Sequence, residues 1–328
     1  MTDERALGAA VPDLAAVNAK RRVFVLPEYQ VAYVSVPKNA CTSVKWVMAD
    51  LAGEDLDRIR RGRIGFNPTR AAQVHDRTTW QRMRDVGDLD PAVRARIAPE
   101  DGWFVFGVLR DPRLRLFSAW QDKYLLRSPG YWEHWDDPAQ PPVPRTAEDI
   151  VDSFARFVAD VTSTPGHEAL DDGHFLSQVH ALNLDKVRYS RLYDMSELGG
   201  MMTDLNLHLA AHGHPGEVTL GRTNKSPFEP AGELFAGGVR EAIEGLYADD
   251  FAAFGDRWDF SGIEARRAAW TPDAFAHAQS IIVMNERISD LARAARRLRR
   301  QNEKQKARIA SLRKQSPGRG GRGRRTKG

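Results

Sequence analysis

The amino-acid sequence predicts an α/β fold: a parallel sheet flanked by helices, followed by a C-terminal helix with coiled-coil heptads. Three observations predict it. Twice, at residues 31–51 and 103–120, an apolar run gives way after a short break to a pattern of helical period. The run at 103–109 is continuously apolar, as a strand covered on both faces requires. From Ile281 onward, apolar residues recur at the 3–4 spacing of a heptad.

The elements follow in order. Residues 1–20 read as a loose polar leader, without the cationic start and apolar core of a signal peptide. Residues 22–25 and 31–36 are strand-like, and the second run stops at Pro37. Val44, Val47, Met48 and Leu51 share one face of a helix over 42–51. Residues 53–100 are rich in Arg and Asp, in helical pieces punctuated by Pro68, Pro91 and Pro99. After the strand at 103–109, Pro112 suits the first turn of a helix whose stripe is Leu116, Phe117 and Trp120. Residues 128–145 form a Pro-rich loop opened by Tyr131, Trp132 and Trp135, a surface suited to touching a ligand. Helices are predicted at about 148–161 and 175–181, and a short strand within 186–192. Ser196 caps a helix to about 209, residues 212–232 are loop-rich, and a last body helix spans 236–254.

With Ile281 as position a, the a residues are Ile281, Ile288, Ala295, Asn302 and Ile309, and the d residues are Met284, Leu291, Leu298, Gln305 and Leu312. This pattern predicts a coiled-coil helix over 275–315 and a homodimer, with Asn302 setting register. The Gly/Arg segment 316–328 reads as a disordered basic tail. The predicted domain between leader and coiled coil is 21–262, and turnover is expected to survive removal of everything after Phe260.

Composition narrows the functional classes. The formal charge of +4 hides a split: residues 291–328 hold fifteen Lys and Arg against Glu303 alone, so the preceding 290 residues carry −10. A nucleic-acid or anionic-membrane contact is therefore confined to the tail. Cys41 is the sole cysteine, which excludes an intramolecular disulfide and a Cys-based zinc site. No apolar run approaches the ~18 residues of a membrane span. The expected location is the cytoplasm, with peripheral membrane attachment open to the basic tail.

Two segments carry the chemistry. In Pro37-Lys38-Asn39-Ala40-Cys41-Thr42-Ser43, a strand ends in a tight loop with a lysine and a helix opened by hydroxyl residues, a P-loop-like junction suited to a phosphate. The glycines of a Walker A loop are missing. The second segment, Arg110-Asp111-Pro112-Arg113-Leu114-Arg115-Leu116-Phe117-Ser118, places an arginine fork at a strand end and a serine eight residues later.

Together these segments resemble sulfotransferases that use 3′-phosphoadenosine 5′-phosphosulfate (PAPS). The nearest group is the carbohydrate sulfotransferases that include the chondroitin and dermatan 4-O-sulfotransferases and the HNK-1 sulfotransferase. The run Ser118-Ala119-Trp120-Gln121-Asp122-Lys123-Tyr124 looks like theirs, with weaker echoes at 172–178, 223–227 and 247–255. The animal enzymes have a membrane anchor and lumenal disulfides, and this chain shows neither.

The resemblance implies a PAPS-dependent O-sulfotransferase without a metal, acting on a carbohydrate or glycolipid hydroxyl. Pro37, Lys38, Asn39, Ala40, Cys41, Thr42 and Ser43 would hold the 5′-phosphosulfate, and Lys38 would offset charge on the leaving phosphate. Arg110 and Ser118 would hold the 3′-phosphate. His75 and His174 are the candidate general bases, and His134 is a candidate acceptor contact. A P-loop kinase or NTPase, or a coiled-coil nucleic-acid or membrane binder, are the alternatives.

Overall fold

The computed structural model describes residues 23–62, 69–129, 131, 140–221 and 226–315. The leader, His134 with its two tryptophan neighbours, Thr223 to Lys225 and the Gly/Arg tail lie outside the described residues. The elements are β1 (Val23–Leu26), β2 (Val31–Val34), α1 (Cys41–Leu51), α2 (Leu56–Arg61), β3 (Arg84–Asp85), α3 (Pro91–Arg94), β4 (Phe104–Leu109) and α4 (Pro112–Trp120). They continue as α5 (Ala147–Ser163), α6 (Gln178–Leu182), β5 (Arg191–Asp194), α7 (Leu198–Ala211), α8 (Val239–Leu246), α9 (Ala248–Phe254), α10 (Ser261–Glu264) and α11 (Pro272–Gln315).

The sheet runs β3-β1-β2-β4-β5 and is mixed rather than parallel throughout. β2, β4 and β5 are parallel neighbours, while β1 is antiparallel to both β2 and β3. The reason is chain length. Only residues 27–30 join β1 to β2, a 3-10 turn closed by Gln30 in the left-handed region (φ 51°). A parallel crossover needs a dozen residues or more.

Alternation along the strands sends side chains to two cores. Phe24, Tyr33, Phe106, Val108 and Tyr193 pack with α1 and α7. Val23, Val25, Ala32, Val34, Val105 and Leu109 pack on the opposite face with Leu182 and Val187. A third core joins α4, α5, α8 and α11 around Trp120, Phe154, Phe157, Ile243 and Phe275. Each such large apolar side chain contributes roughly 1.5–3 kcal/mol by burial.

Three expectations change in detail. The helix expected over 236–254 divides at Tyr247 (φ −111°, ψ 33°) into α8 and α9. The buried Tyr247 hydroxyl donates to the Phe175 carbonyl. Ser196 does not cap α7; Asp194 accepts from the Ser196 amide, and Glu197 occupies the N-cap. The coiled-coil segment does not stand apart from the body either. Phe275, Ala278, Ile282, Asn285, Ser289 and Ala292 of α11 are buried, the first three in the α4–α5–α8 core.

Candidate active site

The site forms where β2 and β4 end. Between β2 and α1, Lys38 (φ 71°) and Ala40 (φ 53°) take left-handed backbone without being glycine. Each costs about 1–2 kcal/mol and persists only because its surroundings impose it. Asn39 supplies part of that constraint. Its fully buried side chain donates to the Val108 carbonyl (2.8 Å) and to Gln178 Oε1 (2.6 Å). Asn39 thus holds the loop through its side chain. No side chain caps α1, so the backbone amides of its first turn, at Cys41, Thr42 and Ser43, have no partner within the helix.

His75 sits against the same turn. Its Nδ1 lies 3.0 Å from Lys45 Nζ and its Nε2 lies 2.9 Å from Thr42 Oγ1. An ammonium only donates, so Nδ1 accepts and Nε2 carries the proton. In this tautomer the ring donates to the Thr42 hydroxyl. Both ring nitrogens are engaged, so His75 is placed to orient Thr42.

Arg110 follows β4 and turns back onto the loop, its Nη1 donating to the Lys38 carbonyl (3.0 Å). Burial, with the charge of Arg115, pushes its guanidinium down to about 10, still fully protonated at neutral pH. Asp111 does not pair with Arg110. It caps α4 and binds Arg113. Ser118 lies two turns into α4, 8% exposed. Arg115 ties three segments together: Nε to the Pro37 carbonyl (3.1 Å), Nη1 to Leu176 (2.6 Å) and Nη2 to Gly173 (3.2 Å). It ties the segment around His174 to the loop after β2. Gln178 bonds the Arg110 amide and carbonyl, and Asp250 accepts the amides of Gln178 and Val179 at the start of α6.

After α4 the helix widens into a π turn, Gln121–Leu125, a distortion common at functional sites. It carries Asp122 and Lys123. Asp122 Oδ2 receives both Lys38 Nζ (3.1 Å) and Lys123 Nζ (3.2 Å), so two ammonium groups converge on one oxygen. Burial would raise the Asp122 carboxyl, but Lys123 and Lys38, helped by His174, hold it well below the usual carboxylate range. Lys123 also stands 5.2 Å from the centre of the Tyr131 ring.

His174 completes the cluster. Its Nδ1 is 2.6 Å from Asp172 Oδ1, and its backbone amide donates to the same oxygen at 2.8 Å. The Tyr131 hydroxyl lies 3.3 Å from that Nδ1. Burial first, then the charge of Lys123, pushes the ring down to about 4, although Asp172 acts the other way. His174 is therefore neutral at pH 7, with its Nδ1 proton on the carboxylate and Nε2 able to accept.

The structure thus gathers Lys38, residues 39–43, Arg110 and His174 around one place, with His75 behind Thr42. Sequence reasoning missed Lys45, Arg115, Asp122, Lys123 and Asp172. One signal was present: Ser118 and Asp122 stand four apart and so share a helix face.

Comparison with known families gives one result. A family model described as "Sulfotransferase family" matches residues 21–255. No curated protein and no solved structure matches the chain. The matched span takes in well over half of the sequence, every strand of the sheet and both segments at 37–43 and 110–118, and the chain belongs to the sulfotransferase family.

Proposed function

We propose that this protein moves the sulfuryl group of PAPS to a hydroxyl of a carbohydrate or glycolipid. The observation that carries the reading is the Lys38–Asp122–Lys123 triad, set between the open first turn of α1 and the His174–Asp172 pair. Sulfuryl transfer needs three things: in-line geometry, neutralisation of the leaving phosphate, and a base for the attacking hydroxyl. The residues suit the second and the third.

The α1 amides and the Thr42 hydroxyl suit the 5′-phosphate, and Arg110 with Ser118 suits the 3′-phosphate. Lys38 faces the bridging oxygen, where charge grows as the sulfur–oxygen bond breaks. Lys123, converging on the same carboxylate, supplies a second cation for the sulfuryl oxygens. His174 Nε2 takes the proton of the attacking hydroxyl. Asp172 then stabilises the imidazolium, the logic of a carboxylate-held histidine base. Tyr131 presents an aromatic ring beside polar groups, a lining suited to a sugar.

Titration with adenosine 3′,5′-bisphosphate and with AMP tests the reading. The bisphosphate is expected to bind at least about 30-fold more tightly, from charge-assisted bonds to one additional phosphate. Equal affinities would leave Arg110 and Ser118 without a role and overturn it. Mass spectrometry of glycans and glycolipids incubated with the protein and PAPS then identifies the acceptor by the gain of one sulfate.

A further inference from the structure

Helix α11 carries two apolar rows. One faces the body through Phe275, Ala278, Ile282, Asn285, Ser289 and Ala292, all buried. The other is the a/d row read from the sequence. In it Met284, Leu291, Leu298, Ile309 and Leu312 are 41–60% exposed, while Ile281 and Ile288 are half-buried. The rows lie side by side, the body-facing residues at b and e of the same heptad. Every residue from 295 to 312 is exposed, so the far end of α11 projects as a lone helix with an uncovered seam among the described residues. Lone helices are marginal in water and gain most of their stability from packing.

We propose that this seam pairs with the same seam of a second copy, as a parallel two-stranded coiled coil. The residue pattern selects this occupant. Ile at a (Ile281, Ile288, Ile309) with Leu at d (Leu291, Leu298, Leu312) favours two parallel strands, and Asn302 at a single a position fixes register. A lipid surface fits less well: the seam is two positions in seven, it lacks aromatics, and Asn302 and Gln305 interrupt it. The flanks give the pairing a signature. Arg287 and Arg308 at g and Arg299 and Lys306 at e flank the seam, with no acidic residue at either position. The flanks repel, so salt strengthens the pairing by screening that repulsion. Salt would weaken the docking of this basic helix on a polyanion. The proposal does not depend on sulfuryl transfer.

Sedimentation of the full-length chain tests it. The expected mass is twice 36.8 kDa, with a dissociation constant that falls at least about threefold between about 0.05 and about 0.5 M NaCl. Leu298→Glu, at a position 60% exposed in the single chain, is expected to give a monomer whose body melts as the wild type does. Ala295→Cys, at an a position, should form a reducible dimer on mild oxidation. Arg297→Cys, at an outward c position, should not. A wild-type monomer at every salt concentration overturns the proposal, as does a dimer that survives Leu298→Glu or that salt dissociates. Equal cross-linking by both cysteine variants, or none by Ala295→Cys, overturns the parallel arrangement. A mass change seen only with added RNA or anionic vesicles assigns the seam to a polyanion instead.

Discussion

Lys38 and His174 do opposite electrostatic work a short distance apart. Lys38 is tied to Asp122 at 3.1 Å, and His174 stays neutral because burial and Lys123 oppose a proton there. Lys38→Met removes a cation that matters most when charge develops on the leaving oxygen. A loss of about 10²–10³ in kcat is expected, together with weaker binding of the bisphosphate, which carries the full charge of the leaving phosphate. Steady-state kinetics beside a titration separates the two. For His174 the sign follows from its lowered value: the ring is free to accept a proton at neutral pH and loses that capacity on acidification. The acid limb of kcat/KM is thus expected near pH 4, below the ordinary histidine range. Asp172→Asn removes a carboxylate that raises the ring and holds its tautomer. The limb should move further down, and the plateau should fall about 10²-fold or more.

Between elements, Arg115 is the fastener. One buried guanidinium on α4 joins the Pro37 carbonyl before α1 to the Gly173 and Leu176 carbonyls around His174. Arg115→Leu orphans three carbonyls and is expected to cost roughly 3–5 kcal/mol, read as a lowered midpoint in denaturant. Lysine cannot replace the three-way fork. The π turn works at the same scale. It follows Trp120, the last residue of α4, and carries the Asp122 carboxylate that meets both Lys38 and Lys123.

For the molecule as a whole, the boundary between body and stalk falls inside α11. Phe275, Ala278 and Ile282 complete the core built by α4, α5 and α8. Asn285 donates to the Leu126 carbonyl and Gln279 to the Pro144 carbonyl, at the two ends of the Pro-rich loop. Ending the chain after Phe260 is therefore expected to cost about 5 kcal/mol or more and to abolish turnover. Ending it after Arg297 should leave melting and turnover of the body intact. Comparing thermal melts and activity of the two truncations checks this.

Local pattern alone determined much of this protein. The runs at 31–36 and 103–109, the helices after them, and the lysine and arginine at their junctions follow from periodicity and residue chemistry, which act over a few neighbouring residues. The heptad marked one long helix for the same reason. Other features depended on partners far apart in the chain. Nothing near Asp122 in sequence says that Lys38, 84 residues away, binds it. Nothing near Arg115 announces the carbonyl of Pro37, 78 residues away. The antiparallel β1, the body-facing row of α11, and the engagement of His75 by Thr42 and Lys45 belong to the same class. Each was decided by which groups the folded sheet brings within hydrogen-bond reach, and a polar side chain in the linear sequence carries no record of the partner that burial will require of it.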